Sequence, residues 1–161
     1  MIEIELSDHQ SDHRFDQDRL ADAARRVAAS EGITRATVSI AVVDDATIHD
    51  LNRRYLQHDY PTDVLSFVFE RSDDAASGEV IVSADTAARQ ARRYGWPLED
   101  ELLLYVVHGM LHLVGYDDQA SDARQQMRAR ERYYLAQFGV TPRYDDEGGD
   151  QELESDESAR G

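Results

Sequence analysis

One stretch of the sequence, LLLYVVHGMLHLV at residues 102–114, is far more apolar than the rest of the chain. It is too short, and carries too many histidines, to span a bilayer. In a chain of 161 residues it is best accommodated inside the core of a single domain. We therefore predict that residues 98–114 form a central apolar helix against which the other elements pack.

The remaining hydrophobic patterns alternate between strand and helix periods. The predicted strands are MIEIEL, ATVSIAVVD, DVLSFVFE and GEVIVS, and the predicted helices besides the central one cover residues 16–31, 45–56, 84–94 and 121–138. The resulting order, β-α-β-α-β-β-α-α-α, predicts an α+β fold in which a small mixed β-sheet of about four strands packs with about five helices.

The end of the chain differs in composition from the rest. After Tyr144 it carries eight acidic residues and one arginine, with almost no apolar side chains. Such a segment cannot bury enough apolar surface to fold. We predict a single domain over residues 1–143 and a disordered acidic tail over residues 144–161.

Composition narrows the possible functions. Without cysteine, disulfides, iron–sulfur clusters and thiolate zinc sites are excluded, so any metal must be held by nitrogen and oxygen. A net charge of −16, from 33 acidic residues against 17 arginines, argues against a broad basic surface for nucleic acid. Any contact with RNA must therefore be local. The opening residues lack a basic lead followed by an apolar run, which predicts a cytoplasmic protein.

Two histidines in the apolar stretch, His108 and His112, are four residues apart. Side chains at i and i+4 of a helix lie one turn apart on the same face, so both imidazoles can reach one point. Gly115 suits the position just past a helix end, and Asp118 follows closely enough for its carboxylate to fold back as a third ligand. Two imidazoles and a carboxylate leave one position of a tetrahedral ion for water, as in a catalytic zinc site.

The spacing alone leaves a second interpretation open, in which both histidines are hydrogen-bonded core residues. His9 and His13 have the same separation, but they lie in a polar stretch without a sustained helix pattern. Burying two imidazoles in an apolar helix carries a desolvation cost that a shared cation removes, which favours a metal at the second pair. Gly109 stands where the H-E-x-x-H motif of zinc peptidases has its general base, and this argues against peptidase chemistry.

The segment HGMLHLVGYDD, residues 108–118, resembles the signature H-G-x-L-H-L-x-G-Y-D-H of the YbeY family, with eight of nine fixed letters in register. Upstream, YPTDVLSFVFE resembles the family's P-T-D-V-L-S-F-P segment, and SGEVIVS resembles its G-D-I-V-I-S strand. The order of elements agrees as well, and the resemblance covers residues 37–138. Members of this family are metal-dependent endoribonucleases that act in ribosomal RNA maturation.

The resemblance implies a set of expectations about function. It implies that His108, His112 and Asp118 hold one Zn²⁺ per chain, although this ligand set also admits other divalent metals. The implied activity is a single-strand-specific, metal-dependent endoribonuclease acting in 16S rRNA 3′-end maturation and ribosome quality control. The implied partners are single-stranded RNA, the 16S rRNA precursor, the small ribosomal subunit and its assembly factors, with neither DNA nor a membrane among them.

Two departures from the family pattern bear on the chemistry. Asp118 stands where the family has a third histidine, which keeps a ligand but makes the ion a slightly weaker Lewis acid. Leu56 stands where many members have an arginine after the tyrosine of L-N-x-x-Y-R. Arg53, Arg54 and His58 are the candidate catalytic residues that could replace this cation and offset charge in the transition state.

Two other functions stay open from the sequence. One is a metallohydrolase of another class, such as a peptidase, and the other is a non-catalytic ribosome-assembly factor with a structural metal. An open coordination position favours an enzyme, whereas a fourth protein ligand favours a structural role. His58 is the candidate for that fourth ligand.

Overall fold

The computed structural model describes residues 1–56 and 62–144. In these ranges the elements follow the predicted order: β1 (Ile2–Asp8), α1 (Gln17–Ser30), β2 (Arg35–Val43), α2 (Asp45–Leu56), β3 (Val64–Arg71), β4 (Ala75–Ser83), α3 (Ala84–Tyr94), α4 (Leu98–Leu113) and α5 (Ser121–Ala136). The predicted α+β fold with a small mixed sheet is confirmed. His58 lies outside the described residues, as does the proposed acidic tail apart from Tyr144.

The four strands form one sheet in the order β1-β2-β4-β3. The first three run parallel, and β3 pairs antiparallel with β4 at the edge. The second halves of β2 and β4 are buried and almost wholly apolar because helices cover both faces of the sheet there. The last four residues of β3 are exposed, which leaves the end of this edge strand open to solvent.

The larger core lies between one face of the sheet and helices α1, α3, α4 and α5. A smaller apolar cluster on the other face lies beneath α2. Twelve of the sixteen residues of α4 are buried, so this helix is enclosed on nearly every side, as the apolar stretch predicted. No helix in the described ranges combines the length and apolar composition needed to cross a membrane.

Gly109 allows α4 to approach the sheet closely. A Cβ atom at this position would lie 2.5 Å from Val80 Cγ1 and 3.1 Å from Ser66 Oγ. Ser66 Oγ also donates a hydrogen bond of 3.1 Å to the carbonyl of Gly109, which ties the C-terminal half of α4 to β3. The residue after His108 therefore faces the sheet and has no room for a glutamate side chain.

The hairpin of β3 and β4 differs from the sequence prediction in two ways. We predicted a polar connection through residues 71–77, but β4 already begins at Ala75, because Ala75 and Ala76 are buried and pair with β2. The pairing of β3 with β4 also shifts by one residue between Val68 and Glu70, so Phe69 forms a β-bulge. Hydrophobic alternation along β3 alone did not indicate this shift.

Candidate metal centre

Helix α4 carries His108 and His112 on one face near its C-terminal end, where their ring centroids lie 4.8 Å apart. The Nε2 atoms of His108 and His112 lie 3.5 and 3.6 Å from Asp118 Oδ2. One ligand atom from each of the three residues lies within 4.8 Å of the others. The structure therefore brings together the three residues that the sequence predicted as metal ligands. We call these three residues, His108, His112 and Asp118, the ligand group.

A glycine turn returns the chain so that Asp118 faces the histidines. Gly115 has a positive φ of 115°, and two hydrogen bonds end the helix there: Gly115 N–H to His112 O at 3.1 Å and Tyr116 N–H to Leu111 O at 2.9 Å. This pair of bonds is a Schellman motif, which confirms the predicted helix-ending role of Gly115. Arg124 Nε then donates a 3.3 Å hydrogen bond to the carbonyl of Asp118, which links the turn to α5.

Hydrogen bonds outside the ligand group determine which nitrogen of each histidine carries the proton. His112 Nδ1 lies 3.1 Å from the carbonyl oxygen of Tyr116, which can only accept a hydrogen bond. His112 Nδ1 is therefore the protonated nitrogen, and in the neutral ring Nε2 keeps its lone pair toward Asp118. His108 Nδ1 lies 2.6 Å from Glu131 Oε2, which directs its Nε2 in the same way.

Glu131 is a buried carboxylate on α5 that contacts both a ligand histidine and a tyrosine. Its Oε2 contacts His108, and its Oε1 accepts a 2.5 Å hydrogen bond from Tyr144 Oη. Burial, reinforced by the carboxylate of Glu131, raises the pKa of Tyr144, so the phenol stays a donor. A chain of contacts thus runs from the C-terminal segment through α5 to the first histidine.

The second histidine is supported by a different network, centred on Glu31 just after α1. Glu31 accepts hydrogen bonds from Tyr116 Oη at 2.9 Å, from Tyr134 Oη at 2.5 Å and from the guanidinium of Arg130. Burial by itself raises the pKa of Glu31, but these three donors outweigh it and lower the pKa. The side chain of Tyr116 is therefore held in place, and with it the carbonyl that accepts from His112.

The donor set and its spacing fit a divalent ion. With bonds of about 2.1 Å, two ligands of a tetrahedral zinc ion are separated by about 3.4 Å, close to the separations between the imidazoles and Asp118 Oδ2. His112 Nε2 and Asp118 Oδ1 are buried and make no hydrogen bond within the described part of the protein. A shared cation would satisfy both atoms.

The electrostatics of the group favour an ionised aspartate. Burial by itself raises the pKa of Asp118, but hydrogen bonds and positive charge from the two imidazoles in their protonated form outweigh this and hold the pKa well below its usual range. The carboxylate is therefore available as an anionic ligand. With two neutral imidazoles and one carboxylate, a bound divalent ion would leave the group with a net charge of about +1.

The two candidate catalytic arginines make their described contacts with residues other than the metal ligands. Arg53 and Arg54 both pair with Asp50 on the exposed face of α2, at 2.6 and 3.2 Å, and Arg54 also lies over the ring of Tyr55. Their described contacts involve none of the three ligand residues. A role for either arginine stays a prediction, and His58 falls outside the described residues.

The other histidine pair does not converge. His9 Nε2 hydrogen-bonds with Ser7 Oγ at 2.9 Å, whereas His13 Nε2 lies 3.0 Å from Asp85 Oδ1. The two rings therefore have different partners, although their spacing in the sequence equals that of His108 and His112. This contrast supports the use of helical context, rather than spacing alone, in choosing between the pairs.

Sequence reasoning missed Glu131, although a signal for it exists. Glu131 follows Met127 by four residues and precedes Tyr134 by three, so it lies on the buried face of α5. A carboxylate on a buried helix face needs a partner, and a metal-binding histidine needs an acceptor for its second nitrogen. Together these two requirements could have paired Glu131 with one of the histidines.

The fold and this ligand group define a class: α+β proteins with a candidate metal centre at the end of a central helix. The family model described as Endoribonuclease YbeY matches residues 4–139. The chain therefore belongs to the YbeY family, as the sequence resemblance implied.

Individual proteins agree with this assignment. A protein of Rhodopirellula baltica named Endoribonuclease YbeY is 48% identical over 123 residues, which span 75% of this chain and 63% of that relative. A protein of Pelotomaculum thermopropionicum with the same name is 43% identical over 130 residues, which span 76% of this chain and 86% of that protein. The solution structure of TM1509 from Thermotoga maritima is similar with a TM-score of 0.60 and 25% identity, covering 92% of this chain and 99% of that one.

Proposed function

We propose that the protein is a metal-dependent endoribonuclease that cuts single-stranded RNA during 16S rRNA 3′-end maturation and ribosome quality control in the cytoplasm. A single domain of residues 1–143 would carry the activity, with His108, His112 and Asp118 holding one Zn²⁺ or another divalent ion. The support is the family to which the chain belongs and the convergence of these three side chains.

The observation that carries the proposal is that the ligand group in the described residues has three members. Three protein ligands leave a tetrahedral ion with a position for water or substrate, which is the arrangement of a catalytic site. A divalent ion supplies an activated water and polarises a phosphoryl oxygen when it is bound in such a site. The third ligand is an aspartate, so iron and manganese also fit the donor set.

The protein's own residues have separate tasks in this proposal. Glu131 and the carbonyl of Tyr116 hold the histidine rings with Nε2 toward the ligand group, so no rearrangement is needed before a metal binds. Asp118 contributes negative charge at the same point. The close packing of α4 on the sheet at Gly109 fixes the distance of both histidines from β3 and β4.

Single-stranded RNA fits the charge of the chain better than a duplex. A net charge of −16 repels phosphates over most of the surface, and duplex binding depends on contacts spread along two grooves. An unpaired strand can enter a narrow site with a few local cations. The 16S precursor and the small ribosomal subunit are the partners that we propose on the strength of the family.

The main alternative is a metallohydrolase of another class. A peptidase of the H-E-x-x-H type needs a glutamate directly after His108, where this chain has Gly109. The close contact of that position with Val80 and Ser66 leaves no space for such a side chain. A ribosome-assembly factor with a structural metal is the other alternative, and it requires a fourth protein ligand.

The proposal is tested by measuring metal content and RNA cleavage on the same preparations. We expect the purified protein to bind one divalent ion and to cut a labelled single-stranded RNA, with little cleavage of the matching duplex. The His112→Ala variant should lose metal and more than about 100-fold in cleavage rate, because even an outer partner of a ligand is worth 10- to 100-fold.

The His9→Ala variant is the matched control, because His9 is exposed and contacts only Ser7 among the described side chains. It should retain both metal and cleavage. Cleavage that persists in metal-free His112→Ala protein would point to a contaminating nuclease and overturn the proposal. Metal bound at full stoichiometry without any cleavage would favour the assembly-factor alternative instead.

A further inference from the structure

The chemistry proposed above leaves one requirement unmet: a cation near the ligand group that can hold an RNA phosphate. Several arginines of this acidic chain already pair with acidic side chains, such as Arg53 and Arg54 with Asp50, Arg89 with Asp45, and Arg130 with Glu31. A cation held in an ion pair must exchange partners before it can bind phosphate. An exposed arginine that makes no such pair in the described part of the chain is therefore better suited to bind phosphate.

Arg71, the last residue of β3, meets this condition. It is exposed, and no hydrogen bond or ion pair to its side chain is found among the described residues. Its guanidinium lies beside the turn that separates two ligands: a Cβ atom at Gly115 would lie 3.7 Å from Arg71 Nη1. Gly115 follows His112 by three residues and precedes Asp118 by three.

The β-bulge at Phe69 is what directs Arg71 toward this turn. Before the bulge Val68 pairs with Gly78, and after it Arg71 pairs with Ala76. Paired residues project from the same face of a sheet, and Gly78 and Ala76 share a face because they are two residues apart.

That face is the one covered by α4. A Cβ atom at Gly78 would lie 2.6 Å from Leu113 Cδ2 near the end of the helix, and Ala76 belongs to the core that α4 helps to form. Without the shift in register, Glu70 would pair with Ala76 and project toward the turn between His112 and Asp118. The extra residue thus replaces a carboxylate by a guanidinium on this face.

We propose that Arg71 binds a phosphate of the RNA strand as that strand passes the turn between His112 and Asp118. This inference rests on the proposed function and names a substrate-contacting residue for it. An arginine presents several N–H donors to phosphate oxygens and stays charged at any working pH. It would compensate locally for an overall charge of −16, at a position unrelated to the family arginine that Leu56 replaces.

A structural role for Arg71 is the competing explanation. A cation beside the C-terminal end of α4 also interacts favourably with the helix dipole. In that case its loss would lower the melting temperature and leave RNA affinity unchanged. The experiment therefore has to measure RNA affinity, its dependence on salt, and stability on the same variants.

The experiment compares wild type, Arg71→Gln and Arg71→Lys with Arg92→Gln as the matched control. Arg92 is also exposed but lies on α3, which leads into the opposite end of α4. Binding of a labelled single-stranded RNA is measured by fluorescence anisotropy on chelator-treated full-length protein over a range of salt concentrations. Cleavage is measured separately on metal-loaded protein, and metal content and melting temperature are recorded for each variant.

We expect Arg71→Gln to raise the Kd for RNA about tenfold, because one charge-assisted hydrogen bond is lost, and to leave the metal content unchanged. The slope of log affinity against log salt should fall by about 0.7, as for one lost phosphate contact on a single strand. Arg71→Lys should restore most of the slope, and Arg92→Gln should behave as wild type.

Unchanged affinity and slope in Arg71→Gln, with wild type binding and cutting RNA, would overturn this inference and leave the proposed function intact. Wild type that binds RNA through Arg71 but never cuts it would overturn the nuclease assignment alone. If Arg71→Gln does not fold, Arg71→Met takes its place in the same measurements. A folded Arg71→Met variant with wild-type affinity and slope would overturn the inference, and a slope reduced by about 0.7 would support it.

Discussion

At the scale of single residues, the affinity of the site for a metal depends on the orientation and basicity of its two imidazoles. His112 donates to a backbone carbonyl, which no substitution of a side chain removes directly. His108 faces the carboxylate of Glu131, whose negative charge makes the opposite nitrogen a stronger donor to a cation. The two ligands should therefore respond differently to mutation of their surroundings.

We predict that Glu131→Gln weakens metal binding about 10- to 100-fold, because an amide of the same shape lacks the charge that strengthens His108 as a ligand. Competition with a chelating dye measures this affinity directly. Glu101→Gln is the matched control: Glu101 is another buried carboxylate, on α4 itself, and accepts a 2.7 Å hydrogen bond from Trp96 Nε1. It should affect stability and leave metal affinity unchanged. Equal affinities of wild type and Glu131→Gln would show that the contact is only structural.

At the scale of elements, α4 supplies two ligands and α5 supplies much of what holds them. Glu131 contacts His108, and Arg130 and Tyr134 anchor Glu31, which in turn anchors Tyr116. The mean hydropathy of α5 is far lower than that of α4, yet its inner face carries these polar groups. α5 therefore positions the site through polar contacts, while α4 is held mainly by apolar packing.

Gly109 gives a prediction about the packing of α4. Alanine normally favours a helix over glycine by about 1 kcal/mol, but here its Cβ would lie 2.5 Å from Val80 Cγ1 in the core. Overpacking of this kind typically costs about 1–3 kcal/mol, so after subtraction of the helix gain we expect Gly109→Ala to lower the free energy of unfolding by up to about 2 kcal/mol. Urea denaturation measures the change.

The double variant Gly109→Ala/Val80→Ala serves as the control for this mechanism. Removing Val80 Cγ1 frees the space that the new methyl group needs, so the two changes should destabilise less together than the sum of the single variants. Strict additivity would mean that the close approach is not the source of the cost.

The elements differ in how far their roles could be read from the sequence. Periodicity located all nine because their apolar faces are regular, and the helical spacing of His108 and His112 identified the ligand pair. The bulge at Phe69 and the early start of β4 depend on pairing between strands, which no local pattern encodes. For the same reason Arg71 was not a candidate, since its position next to Gly115 depends on the shifted register.

At the scale of the whole molecule, the ligand group connects parts of the chain that are distant in sequence. Its ligands come from α4 and from the loop before α5, and their supports come from Glu31 after α1, from α5 and from Tyr144 near the end of the described chain. A metal bound to the folded protein and not to the unfolded chain should therefore stabilise the entire fold.

This coupling predicts the response of the melting temperature to metal. At a free concentration of 100 times the Kd, binding to one site adds about 2.7 kcal/mol, which for a chain of this size corresponds to a rise of about 5–11 °C. We expect this rise with Zn²⁺ by differential scanning calorimetry, and its loss in Asp118→Asn, where an amide replaces the anionic ligand. His13→Ala should keep the full rise, because His13 contacts Asp85 away from the ligand group. A chain with 33 acidic residues offers many weak cation sites, so an equal rise in Asp118→Asn would mean that zinc binds elsewhere and that the candidate metal centre is wrong.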